Sequence, residues 1–205
     1  MKSNSIVRIN LKRTFDITIF PHTDGSAESQ MCIRDSLYTC LTLGFIMAMP
    51  EVVKVFASSD YWESIDFIPI LALGIYFIFL YSFPVNFEFY HKQTKNIAVG
   101  TMLAGVLNVV LNFYLIKWIG MTGAAVATFI SYVLLFTFHV IIAKYVIKEE
   151  YHYKGFRSFY ICIPVVAGGT ALFYVIKDMP VLRWILFVGI AAVLIGRTVK
   201  NRTLF

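Results

Sequence analysis

Long apolar runs alternate with short polar breaks along most of this chain. From Leu37 onward six apolar segments follow one another: Leu37–Ala57, Phe67–Phe87, Ile97–Ile116, Gly123–Ile147, Phe159–Ile176 and Met179–Gly196. The second, third and fourth have the roughly 20 residues that carry an α-helix across a ~30 Å hydrocarbon core. The fifth is slightly short, and the sixth holds Arg183, which is expected to snorkel to the interface. In lipid, helices and closed barrels alone satisfy their backbones, and runs of this length exclude the alternating strands of a barrel. The pattern therefore predicts an all-α integral membrane protein with about six transmembrane helices in one bundle. Because the breaks are short, sequence neighbours should lie side by side and antiparallel.

The pattern changes abruptly at Ser36. Met1–Ser36 is mixed and polar, with His22, Thr23, Asp24, Gly25, Ser26, Glu28 and Ser29 reading as loop. It lacks the apolar core and small-residue cleavage site of a secretory signal. Its last six residues, Met31-Cys32-Ile33-Arg34-Asp35-Ser36, are what ATG-TGT-ATA-AGA-GAC-AG encodes, the end of a transposon adapter used to prepare sequencing libraries. An ordinary juxtamembrane stretch is the alternative. The first apolar run supports the adapter: Leu37–Pro50 gives about 21 Å of helix where a span needs ~30 Å. The expectation is that residues 1–36 are chimeric or out of frame, that 37–205 is a C-terminal transmembrane bundle, and that the natural protein extends further N-terminally. An intact reading frame lacking the adapter, found in independently prepared genomic DNA, would end that expectation.

Composition agrees with lipid as the solvent. The chain has 205 residues, 59% hydrophobic and 15% charged, against ~25% charged in soluble domains. A net charge of +6 would suggest nucleic acid in a soluble protein; here the cations are expected in cytoplasmic loops, and no nucleic-acid partner is expected. Lys92, Lys95, Lys144, Lys148, Lys154, Arg157, Arg197, Lys200 and Arg202 fall on one set of alternate connections, and Lys54, Lys117, Lys177 and Arg183 on the other. Nine against four places the first set, and the C-terminus, in the cytoplasm. Tyr61, Trp62, Trp118, Tyr145, Tyr151, Tyr153 and Trp184 fall near the predicted boundaries, where interfacial aromatics belong.

Polar residues inside apolar runs are the candidates for function. Asn108 and Asn112, spaced i, i+4, share one helix face, as interhelical glue or as the lining of a substrate path. Gly100 with Ala104, and Gly123 with Ala127 and Ser131, form small-residue stripes that point to close helix packing. Pro69 and Pro84 remove backbone donors near opposite ends of the second span and are hinge candidates. Asn86 and Glu88 follow Pro84, with His91 and Lys92 next. Glu88 could carry a coupling ion or proton, but a carboxylate one turn from the interface more often pairs with lysine or water. His139, late in the fourth span, reads more readily as a buried hydrogen-bonding residue than as a proton relay.

For catalysis the reading is negative. The chain contains no GxSxG, P-loop or HExxH motif, no long loop and no carboxylate pair on one. Cys32, Cys40 and Cys162 have no disulfide or zinc spacing, and Glu149–His152 has no zinc-ligand spacing. No enzyme activity, cofactor or metal is expected.

An ordered series of short motifs carries a resemblance. It comprises Leu43-Gly44-Phe45, Met49-Pro50-Glu51-Val52-Val53-Lys54-Val55-Phe56, Tyr61-Trp62, Pro69, Leu71-Ala72-Leu73-Gly74 and Tyr81-Ser82. It continues with Asn86-Phe87-Glu88-Phe89-Tyr90-His91-Lys92-Gln93-Thr94-Lys95, Gly100-Thr101, Leu107-Asn108-Val109-Val110-Leu111-Asn112, Gly120-Met121-Thr122-Gly123-Ala124-Ala125, and Thr128-Phe129-Ile130-Ser131-Tyr132 with His139. Over about 100 residues this resembles the C-terminal portion of the polysaccharide (oligosaccharide) flippases of the multidrug/oligosaccharidyl-lipid/polysaccharide exporter superfamily.

The resemblance implies one bundle of a MATE-like fold, two such bundles enclosing a cavity open alternately to either face. It implies a bacterial inner-membrane protein that translocates polyprenyl-pyrophosphate-linked oligosaccharide for O-antigen, capsule or other surface polysaccharide. Its partners would be membrane lipid, the lipid-linked substrate and a missing N-terminal half. Related flippases meet substrate phosphates with cationic residues; here no Lys or Arg lies at mid-membrane depth, so no such role is carried over. Asn86, Glu88, Asn108 and Asn112 match family positions in pattern. A multidrug/cation antiporter of the same superfamily is the alternative, which would be expected to hold a carboxylate well inside a span. A non-transport membrane subunit of polysaccharide assembly is another, in which the Asn and Pro positions would be replaceable.

Overall fold

The computed structural model describes residues 25–145 and 156–202, with side chains over 34–145 (Tyr90 apart) and 161–196. All described regular structure is helical: α1 (Gly25–Phe56), a short 3-10 turn (Ser59–Tyr61), α2 (Ser64–Tyr90), α3 (Thr94–Ile119), α4 (Met121–Tyr145), α5 (Phe156–Ile176) and α6 (Pro180–Arg202). Each predicted apolar segment falls on one of these helices to within a residue at its described ends, with Val146 and Ile147 of the fourth outside the described residues. Four stretches are long and apolar enough to cross a membrane: Arg34–Phe56, Ser64–Phe89, Thr94–Ile119 and Met121–Tyr145. The apolar parts of the last two helices, Ile161–Ile176 and Pro180–Gly196, are shorter. Residues 1–24, Lys148, Glu149–His152, Tyr153 and Lys154 lie outside the described residues, as do the side chains of Arg157, Arg197, Lys200 and Arg202.

The helices overrun the apolar runs because hydropathy does not see polar first turns such as Ser64–Asp66 and Thr94–Asn96. The difference is greatest in α1, which continues upstream through Met31–Ser36 to Gly25. Between Gly25 and Leu37 no proline interrupts it, so backbone propensity carries the helix where the apolar pattern has ended. The cost falls on side chains: Asp35 and Ser36 are buried, and Asp35 Oδ1 and Ser36 Oγ have no hydrogen-bond partner among the described residues.

Packing divides the bundle into two overlapping groups. α4 lies along α2 and α3, while α1 lies against α5, α6 and α2. Tyr76, Leu80, Cys162 and Val166 form one buried cluster between α2 and α5, flanked by Phe77, Phe79, Phe83 and Phe136. Ile46, Met47, Ala72 and Phe173 form another among α1, α2 and α5. On α2 the buried residues Ala72, Tyr76, Leu80, Pro84 and Glu88 follow at intervals of four, and α2 is continuous past both Pro69 and Pro84. On α4 the row is Gly123, Ala127, Ser131, Leu135, His139 and Ala143, all buried. Residues four apart form a ridge on a helix surface, so these two rows are the ridges that carry the helices' close contact.

Outside these rows the surface is apolar. Val99, Met102, Leu103, Val106, Val109 and Phe113 of α3 are all more than half exposed. In water a patch of this extent would drive aggregation; hydrocarbon solvates it without penalty. The exposed Tyr61, Trp62, Trp118, Tyr145 and Trp184 lie at or near helix ends, as interfacial anchors would.

Candidate functional site

The two ridges converge on an ionisable pair. Glu88 of α2 and His139 of α4 are both 0% exposed, with His139 Nδ1 2.7 Å from Glu88 Oε1. Glu88 lies two residues before the end of α2 and His139 six before the end of α4, so the pair sits within the bundle near one end. The sequence led us to expect a Glu88 paired with lysine or water near the interface. The structure gives it a histidine partner 51 residues away in a closed interior.

Glycine makes the closure possible. A Cβ at Gly100 of α3 would stand 2.6 Å from the Phe138 ring and 2.7 Å from His139 Nε2. With no side chain, α3 lays its backbone against the imidazole. The Tyr81 and Phe138 rings meet His139 edge-on, at centroid distances of 5.0 and 5.2 Å. The second polar atom of each partner, Glu88 Oε2 and His139 Nε2, is buried with no hydrogen-bond partner among the described residues. Buried polar atoms are ordinarily paired, so these two are exceptions that call for an explanation. Beside them Gly100 and Phe138 also line an open, almost wholly apolar groove of about 310 Å³ between α3 and α4.

The other predicted residues lie elsewhere. Asn112 Nδ2 donates to Asn108 Oδ1 at 3.0 Å and to the Asn108 carbonyl at 2.9 Å. The two half-buried amides thus satisfy each other along α3, since i, i+4 spacing brings them together before any neighbouring helix does. Asn86 is exposed, and Pro69 and Pro84 are buried within α2. Pro84 stands one turn before Glu88, so the Leu80 carbonyl lacks its usual helical donor there.

A second buried charge occupies the opposite end. Arg183 of α6, 1% exposed, donates through Nη2 to Glu51 Oε1 of α1 and through Nη1 to the Lys177 carbonyl at 3.0 Å. Arg183 stands in the first turn of α6, at the end of the bundle, where this carboxylate and carbonyl hold its guanidinium within the protein. Nearby Lys177 Nζ donates to Asp66 Oδ1 at 2.8 Å. That hydrogen bond is the main reason the Lys177 ammonium is pushed above the usual lysine range. Among the described residues no group of three or more His, Cys, Asp or Glu could hold a metal.

No family model matches the chain, and neither does any curated protein or solved structure. The candidate site therefore stands on its geometry: a buried carboxylate and imidazole, one contact made and one atom open on each, in helices long and apolar enough to cross a membrane.

Proposed function

We propose that this chain is one wall of a bacterial inner-membrane carrier that translocates polyprenyl-pyrophosphate-linked oligosaccharide for surface polysaccharide synthesis. The observation that carries the reading is the ordered motif series from Leu43 to His139, which falls on α1–α4, the four helices of spanning length. The physics of the task fits such helices. Each sugar hydroxyl costs energy to strip of water, so the head group needs a polar path while its prenyl tail stays in lipid. Half-buried Asn108 and Asn112 are amides available for such a path. On this reading the chain is a carrier and not an enzyme, and its partners are membrane lipid, the lipid-linked sugar and a second bundle facing this one.

The test is complementation. A strain lacking its own lipid-linked-sugar flippase, given the locus that encodes this chain, should regain surface polysaccharide. Continued accumulation of the lipid-linked sugar on the cytoplasmic leaflet would sink the proposal. The chain reconstituted alone should not flip a labelled substrate, because half a cleft has no opposing wall.

A second reading is a cation-coupled drug antiporter of the same superfamily, since Glu88 is a fully buried carboxylate, placed near the end of its span rather than well inside it. Efflux of a cationic dye from vesicles, abolished by Glu88→Gln and unaccompanied by sugar flipping, would select it.

A further inference from the structure

A carboxyl and an imidazole in contact are neutral as a unit when they hold one proton between them, as carboxylate with imidazolium or as carboxylic acid with imidazole. Withdrawing that proton would leave a lone carboxylate inside the bundle, and adding a second would leave a lone imidazolium. Either is a buried charge without a partner, which a low-dielectric interior strongly disfavours.

Among the described residues, the groups around the pair bring no further hydrogen bond to it. On α2, Tyr81 presents its ring, and its hydroxyl lies 3.5 Å from Thr101 Oγ1 of α3. His91, beyond Glu88, lies against the Phe87 ring, and Lys92 is exposed. On α3, Gly100 brings backbone, and Lys95 is exposed. On α4, Phe138 brings an aromatic edge, and Lys144 is exposed beside the Tyr145 ring. With the helices together, the contact with its partner is thus the one charged contact that the described residues give either side chain.

The enclosure has a weak side. His139 Nε2, without a partner, points at α3 where Gly100 closes over it. Within its most apolar stretch α3 is only 6% buried, and it is held chiefly by α4. The groove along the same seam, lined by Gly100, Ala104, Leu107, Leu135 and Phe138, leads outward from this point.

We propose that Glu88 and His139 form a one-proton binding site that exchanges with solvent through His139 Nε2 when α3 moves off α4 at Gly100. Protonation and the α3–α4 seam are then a single coupled equilibrium, and water reaches the pair as the seam opens. The inference rests on the membrane reading of α2–α4 and not on the nature of the cargo.

The test follows the proton, not transport. The full chain, labelled with ¹⁵N-histidine, is placed in lipid nanodiscs; it has four histidines, and the His139 signal is the one lost in His139→Gln. In the wild type the His139 Nε2 proton should exchange with water about 100-fold more slowly than the ring proton of free histidine in the same buffer. Gly100→Ala, which props the seam, should raise that rate by about 10-fold. Exchange as fast as in free histidine, or a rate unmoved by Gly100→Ala, would overturn the proposal. Should that variant not fold, cross-linking Ala104→Cys to Leu135→Cys tests the same point, because a tied seam must slow exchange and an unaltered rate refutes the coupling. Slow, seam-dependent exchange together with failed complementation would remove the transport reading and leave this one standing.

Discussion

At Gly100 one methyl group decides whether α3 can lie against the buried imidazole. Gly100→Ala places a carbon 2.6 Å from the Phe138 ring; with helix backbone behind it, relief must come from shifting α3 or rotating that ring. The expected loss is about 1–3 kcal/mol, as overpacking usually costs, and is readable from unfolding in mild detergent. Glu88 and His139 should depend on each other more strongly. Glu88→Leu or His139→Leu alone strands the other partner in a dry interior, at about 3–5 kcal/mol. The double variant strands neither, so its loss should fall short of the sum of the singles by about 1–3 kcal/mol. Additive losses would show that the two side chains do not act as a unit. Much of this was legible residue by residue. The small-residue stripe Gly123, Ala127, Ser131, extended in steps of four, reaches Leu135 and His139, and steps of four from Ala72 reach Glu88. That the two rows meet was not legible, because register between segments 51 residues apart is set by packing and not by spacing within either one. For Asn108 and Asn112 the shared face could be read from the spacing, but the bond between them replaced the expected bond across helices.

Among elements, the ends of helices hold what the hydropathy pattern could not show. Gln93 N–H donates to the Glu88 carbonyl at 2.9 Å and Lys92 N–H to the Phe89 carbonyl at 3.0 Å, a closing motif that places Lys92 in left-handed backbone at φ 58°. Glycine is the usual residue there, and the α3–α4 turn does use one, Gly120 at φ 62°. Lys92→Gly should therefore stabilise the chain by roughly 1 kcal/mol, seen as a higher midpoint of thermal unfolding in detergent. A lower midpoint would mean that the lysine side chain contributes more than its backbone costs. Glycine serves a different end at Gly123, where a Cβ would run into the Leu115 backbone of α3; the tight hairpin between two spanning helices depends on that absence. At the other end of the bundle, the Lys177–Asp66 link joins the start of α2 to the connection after α5. Its raised lysine makes the sign definite. The link's contribution is complete at neutral pH and is lost as the pH climbs past lysine's ordinary ~10.4 toward the raised value. Unfolding midpoints of wild type and Asp66→Asn should therefore converge in strong alkali and differ most near neutrality, with a gap kept small by the exposure of both groups.

For the molecule as a whole, the ion pairs show which helix ends lie together. Glu51 of α1 meets Arg183 of α6, and Asp66 of α2 meets Lys177 beside α5, so these four termini share one end. Glu88, Gly100 and His139 gather at the other, with the exposed Lys92 and Lys95. The structural ends thus sort the described cations as the alternation of connections does. At the first end each is engaged: Lys177 and Arg183 by carboxylates, Lys54 by the Trp62 ring at 6.0 Å and Lys117 by the Phe113 ring at 3.8 Å. Orientation follows the count of lysines and arginines flanking the spans more than their pairing, so the lysine-richer end is proposed to face the cytoplasm. Reporter fusions can decide this. Alkaline phosphatase should be active when joined after Trp62, Gly120 or Asp178 and inactive after Gln93 or at the C-terminus, and green fluorescence should show the reverse. Inverted activities would put the Glu88–His139 pair near the outer face, so that its proton would have to be drawn from outside the cell. Mixed activities at successive connections would mean that fewer than six helices cross. The short α5 and α6 are where that would show first: their apolar parts, Ile161–Ile176 and Pro180–Gly196, reach only about 24–26 Å as helix, short of a ~30 Å core, so the fusion after Asp178 carries the most information of the five.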